Sequence, residues 1–155
     1  MSNVFATAGT ILRVAADSPG TYDDDAVTGF PSLTYTEVGE VTDFGEFGGT
    51  AEIITHIPVK ENFVVKRKGA KNYGAMSIQL GRDATDAGQI LLQAGFDGAQ
   101  EFTVHSVEME TPDGNFLYFT GMVSSFTYNA GSANQIFGGS VAFELDNKPL
   151  PVAGD

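Results

Sequence analysis

The chain has 155 residues, and its 8 Lys and Arg against 20 Asp and Glu give a net charge of −12. One domain fits that length, with about 70% of the unfolded surface buried on folding, and the acidic balance weighs against a surface that grips nucleic acid or anionic lipid throughout. With no Cys there are no disulfides, thiolate nucleophiles or common zinc fingers, no apolar run is long enough for a spanning helix, and Met1-Ser2-Asn3-Val4-Phe5 lacks the basic and apolar regions of a signal peptide. Composition leaves a soluble, acidic, intracellular single domain as the expectation. Its 19 Gly and 12 Phe favour an all-β fold.

Thr10-Ile11-Leu12-Arg13-Val14 predicts a first strand, closed by the turn cluster Asp17-Ser18-Pro19-Gly20. Asp23-Asp24-Asp25 lies in an irregular polar stretch. Thr34 to Val38 predicts a second strand before Gly39. Residues 39–72 read as a long excursion, either a loop or an extended hairpin. Its apolar pieces are Ile53-Ile54-Thr55-His56-Ile57 and Asn62-Phe63-Val64-Val65, and its glycines are Gly39, Gly45, Gly48, Gly49 and Gly69. Such long connections are usually functional or disordered, and the Ile and Val content points to order that needs a partner.

From Tyr73 to Leu80 the pattern has period two, with Met76, Ile78 and Leu80 on one face. Asp83 or Thr85 can then cap a helix, and Asp86 suits its positive end. Ala87, Ile90, Leu91 and Ala94 recur at helical spacing, and Gly95 and Gly98 supply stops. Glu101 to Met109 predicts a strand whose apolar phase shifts, as a bulge near His105-Ser106 would make it. Pro112-Asp113-Gly114 is a strong turn. Phe116 to Val123 carries aromatics on both faces, so both faces are expected to be covered, and Ser124 to Tyr128 continues it after a kink. Ile136 to Leu145 is the last predicted strand, with Phe137, Val141, Phe143 and Leu145 on one face. Gly138-Gly139 within it implies a bulge or a close backbone neighbour. The tail, residues 146–155, reads as an extended arm, as do residues 1–9. The whole, residues 1–155, is expected to be a single domain.

Little here carries chemistry. His56 and His105 are not spaced as a metal pair, and each reads as structural or surface. No G-x-S-x-G occurs. Asp23-Asp24-Asp25 lacks the ligand spacing and closing Glu of a calcium loop. Gly45 and Gly48-Gly49 lack the Lys-Ser/Thr of a phosphate loop. No enzyme activity, cofactor or metal is expected.

One asymmetry stands out. Lys60, Lys66, Arg67, Lys68 and Lys71 hold most of the basic charge, while Glu37, Glu40, Asp43, Glu46 and Glu52 flank them. Three readings are open: a solvated loop, a contact with another copy of the chain, and nucleic-acid binding, which the acidic residues elsewhere oppose.

The second half resembles a known family. A strand ending near Leu80 leads to the helix Asp86 to Gly98, then a strand, the turn Pro112-Asp113-Gly114-Asn115, the phrase Phe119-Thr120-Gly121-Met122-Val123-Ser124-Ser125, and a return strand closing at Asp146-Asn147-Lys148-Pro149. This order, over residues 73–149, is similar to the major tail tube proteins of long-tailed bacteriophages, the lambda-like tail tube family. The first half matches only in plan. The resemblance implies a mainly β fold, a β-sandwich or barrel of tail-tube type with one flanking helix and a long loop or hairpin excursion. It implies a structural virion protein of the tail, assembled in the host cytoplasm. Its hexameric rings would stack into a tube through whose lumen DNA passes without specific binding. The partners implied are further copies of the chain, a tape measure protein, and tail terminator or tip proteins, with no membrane. The excursion, with Lys60, Lys66, Arg67, Lys68, Lys71, Glu46 and Glu52, is then the candidate subunit or ring interface. A monomeric β-sandwich binding module, carbohydrate-binding or adhesin-like, is the competing reading. Such modules usually display aromatic platforms, and this chain has no Trp and 5 scattered Tyr.

Overall fold

The computed structural model describes residues 4–98 and 104–154. Residues 1–3 of the expected N-terminal arm, 101–103 of the expected strand Glu101–Met109, and Asp155 of the tail lie outside them. The fold is mainly β, a curled sheet with one α-helix. In chain order the strands are β1 (Ile11–Ala15), β2 (Thr36–Glu37), β3 (Val41–Asp43), β4 (Thr50–His56), β5 (Val65–Asn72) and β6 (Ala75–Gly81). Helix α1 (Ala87–Asp97) follows, then β7 (His105–Glu110), β8 (Phe116–Asn129), β9 (Gly138–Leu145) and β10 (Leu150–Val152). The main sheet runs β2-β1-β7-β8-β9-β6-β3, all antiparallel.

Alternation decides which face is buried. Met76, Ile78 and Leu80 of β6 meet Val141, Phe143 and Leu145 of β9, Val107 and Met109 of β7, Leu12 and Val14 of β1, and Phe119, Val123 and Phe126 of β8 in one cluster. Strands from both ends of the sheet order share this cluster, so the sheet curls around it. Leu92 of α1 closes one side.

The second face is covered over part of its width. The segment between β1 and β2 folds back and buries Phe30, which stacks on Tyr118 with 5.0 Å between ring centroids. Tyr22 meets Phe30 edge-on at 4.9 Å. The Tyr22 hydroxyl donates to the Lys148 carbonyl, and burial pushes this phenol up to about 12. Beside these rings Arg13 donates to Glu108 at 2.5 Å and to Glu110 at 2.9 Å. This double cover explains why β7 is buried nearly throughout. The mixture of apolar and polar residues buried along residues 105–109 therefore reflects two covered faces. The expected bulge at His105-Ser106 is absent, since β7 pairs with β8 in unbroken register from His105 opposite Gly121 to Glu110 opposite Phe116.

The irregularity lies instead in β8, between Val123 and Ser125, just beyond Gly121, where the strand leaves β7 and begins to pair with β9. Gly138 and Gly139 carry no bulge. A Cβ on either would lie 2.8 Å from a carbonyl oxygen, of Leu80 or Thr127 respectively, so they serve close backbone approach. Phe137, expected on the buried face, sits before β9 and is half exposed. The tail is extended, and its Leu150–Val152 pairs with Phe116–Tyr118 of β8, along the edge opposite β7. Val41–Asp43, within the stretch read as excursion, joins the main sheet beside β6.

Helix α1 lies within the expected Asp86 to Gly98 but differs in its cap and its buried face. Its N-cap is Asp86, whose carboxylate accepts from Gln89 N at 3.0 Å and from Gly39 N at 3.1 Å. Asp83 shapes the preceding turn, accepting from Thr85 N and Thr85 Oγ1. The buried positions are Gly88, Gln89, Leu92 and Gly95, while Ile90 is 51% exposed. The helix is thus turned about one residue from the Ala87-Ile90-Leu91-Ala94 stripe. Buried Gln89 is tolerated because its amide is saturated. Its Oε1 accepts from Arg82 and from Asp83 N, and its Nε2 donates to the carbonyls of Gly39 and Gly81.

Candidate functional site

β4 and β5 form a separate two-stranded hairpin outside the main sheet. Val65 pairs opposite His56, Lys66 opposite Thr55, Arg67 opposite Ile54, Lys68 opposite Ile53 and Lys71 opposite Ala51. Directly opposed residues share a face, so each face of the ribbon mixes an isoleucine with cations. A register shift at Glu52 sets that one residue against Gly69 and Ala70. The two strands pack on each other, and none of their residues joins the core cluster.

The hairpin is rooted firmly and ends loosely. Phe44, Phe47 and Tyr73 pack against the core on either side of its base, with Phe47 5.1 Å from the Phe119 ring. At the far end Ile57, Val59, Phe63 and Val64 are exposed, Val59 to 98%. Ile53 and Ile54 are half exposed on the ribbon itself. An isolated two-stranded hairpin is marginal in water, and this one shows a run of apolar side chains to solvent.

All the proposed contact residues are exposed, but they are not all together. Lys66, Arg67, Lys68 and Lys71 lie on β5, Lys60 lies in the tip and Glu52 on β4. Glu46 sits at the base, lining a shallow groove with Phe47, Gly48, Gly49 and Gly74. Among the described residues none of the five cations makes an ion pair, and Arg67 Nη1 donates only to the Lys66 carbonyl at 3.0 Å. The cations are therefore uncommitted. The charge pattern of the sequence does not mark the apolar residues of the tip as contacts, although their Ile, Val and Phe stand out as short apolar runs.

Elsewhere the polar clusters are bound up in local structure. Asp25 accepts from Val27 N and Thr28 N, which holds its carboxyl below the usual range and closes the acidic turn on itself. His56 is exposed on β4, and His105 is buried on β7. A second exposed patch joins Ile136, Phe137 and Tyr128, with Arg82 stacked 5.8 Å from the Tyr128 ring centre and Gln93 donating to the Tyr128 hydroxyl.

No family model and no curated protein matches the sequence. Among solved structures, the chain is similar over 99% of its length to 98% of a chain in the anti-feeding prophage baseplate, a six-fold symmetrised structure, with a TM-score of 0.73 and 10% identity. It is similar over 96% of its length to the whole of a chain in the tail of an empty gene transfer agent particle, refined with C6 symmetry, with a TM-score of 0.63 and 16% identity. The tail tube of SPP1 matches over 93% of this chain and 76% of that one, with a TM-score of 0.57 and 11% identity. At these identities the likeness is one of fold: the chain has the fold of phage-like tail tube and baseplate components.

Proposed function

We propose that the chain is the structural subunit of a phage-like tail tube, related in plan to the lambda-like tail tube proteins. Copies assemble into six-membered rings, the rings stack, and the lumen conducts DNA without gripping it. The observation that carries this reading is the hairpin, an apolar-tipped ribbon of cations that have no ion-pair partner among the described residues, held off a core that is complete without it. The fold, shared with chains of particles solved with six-fold symmetry, supports it. Lys60, Lys66, Arg67, Lys68, Lys71, Glu46 and Glu52 then belong to contacts between subunits or rings. The role needs no catalysis. The partners are other copies, a tape measure protein along the lumen, and terminator or tip proteins at the ends. A net charge of −12 suits a conduit, because a wall that repels phosphate lets DNA slide.

Negative-stain microscopy of the concentrated protein tests the reading. Rings or tubes with an open centre are expected. Isolated particles at every concentration and salt would overturn it and favour a monomeric binding module.

A further inference from the structure

Helix α1 is seated on the sheet through its smallest residues. At Gly95 the approach to β7 is so close that a Cβ would lie 2.6 Å from His105 Nε2. His105 is 2% exposed, and among the described residues neither ring nitrogen completes a hydrogen bond, although the backbone of Ala15 and Ala16 lies close enough to favour the protonated ring. A neutral imidazole can be buried in this way at moderate cost, whereas an imidazolium costs far more unless its acceptors and counter-ion make up for the lost water.

The surroundings offer the charged ring little. β8 places Gly121 opposite it, and α1 places Gly95 above it, so neither presents a titratable side chain there. From the end of β1 come the backbone of Ala15 and Ala16 and the carboxylate of Asp17, among the described residues the one charge that favours the protonated ring. The Asp17 carbonyl is itself engaged, accepting from Ser106 Oγ at 2.7 Å. Burial outweighs these groups and holds the imidazole below its ordinary value.

We propose that His105 is an acid-operated latch for α1: the helix stays seated while the ring is neutral and is unseated when the ring takes a proton. The sign follows from linkage. Unfolded, the ring titrates near its ordinary value of 6.5; folded, it titrates lower, so below that pH the folded chain carries fewer protons than the unfolded one. Stability is complete above about 6.5, falls as pH drops towards the folded value, and is level again beneath it. The unfolding constant rises about tenfold for each unit that separates the two values. Asp25, Asp83 and Asp113 are held below the ordinary carboxylate range by their own turns and titrate beneath the upper part of this window. Release begins where the helix meets β7, and it bares Leu92 and the core behind it. The latch belongs to the single chain and does not depend on polymer formation.

The test compares the full-length chain with His105→Leu and with His56→Gln, which alters the exposed histidine. Urea unfolding and amide exchange, corrected for intrinsic rates, are followed at pH 7 and about pH 5. The parent and His56→Gln are expected to lose stability at about pH 5, with amides 90–97 losing protection before those of β8 and β9. His105→Leu is expected to keep at about pH 5 the stability that it has at pH 7. An equal loss in His105→Leu, or α1 protection unchanged in the parent, overturns the proposal. If His105→Leu does not fold, NMR titration of the two imidazoles in the parent decides. A His105 ring that titrates below 6.5, together with shifts of α1 amides, supports the latch; one that titrates at or above 6.5 refutes it.

Discussion

Reversing charge on the hairpin separates assembly from folding. In the variant Lys66→Glu, Arg67→Glu, Lys68→Glu, each reversal subtracts two charges from a chain already at −12. All three side chains are exposed, they alternate between the ribbon's faces, and none is in an ion pair among the described residues. The fold therefore loses little, within about 0.5 kcal/mol per site. At a subunit contact each exposed pair contributes about 0.2–1 kcal/mol, and reversal replaces that attraction with repulsion of similar size. Three sites give roughly 1–6 kcal/mol per hairpin, or about 5- to 25,000-fold in association constant. Sedimentation velocity over a concentration series measures this, with urea unfolding as the control for the fold. At ~0.1 M salt the variant is expected to need a higher concentration to polymerise, and at ~1 M salt, where the screening length falls to about 3 Å, the gap should narrow. A folded variant that polymerises at the parent's threshold in low salt would refute the placing of these cations at a contact.

Two further substitutions test how the core and helix are held. Asp86→Ala removes the acceptor of both Gln89 N and Gly39 N, so it should cost about 2–3 kcal/mol in urea unfolding, and Asp86→Asn, which keeps an acceptor oxygen, should cost less. Phe143→Ala empties a fully buried ring site between β6 and β8 and should cost about 3–5 kcal/mol, with a matching fall in the urea midpoint.

The strands most legible in the sequence are those with one wet face. Met76-Ile78-Leu80 and Val141-Phe143-Leu145 alternate cleanly because their other side faces solvent or short polar residues. The strand β7 was legible but its apolar phase suggested a bulge, because its second face is covered near Tyr118 by Phe30, a residue far away in the chain. The face of α1 was misread for a different reason. Its seat is Gly88, Gln89 and Gly95, and a hydrophobic pattern cannot show that a helix will sit close to backbone with its one buried amide fully bonded. At the hairpin the cations were legible because charge clusters survive in a linear string. The exposure of Ile57, Val59 and Phe63 was not, since an apolar residue in sequence looks the same in a core and at a tip.

The distribution of charge also limits how copies of this chain can meet. A ribbon carrying Lys66, Arg67, Lys68 and Lys71 would oppose its own cations if it paired symmetrically with the same ribbon of another copy. A two-fold contact through the hairpin is therefore disfavoured by like charge. The rest of the chain holds most of the 20 acidic residues and few of the 8 basic ones, so a contact proposed between copies through the hairpin would favour a different surface of the second copy. Contacts of that kind run head to tail, and such contacts close into rings or propagate along an axis. The exposed apolar tip strengthens the argument, because a hairpin with this much Ile, Val and Phe in water gains most by burial against a surface that its own core does not supply.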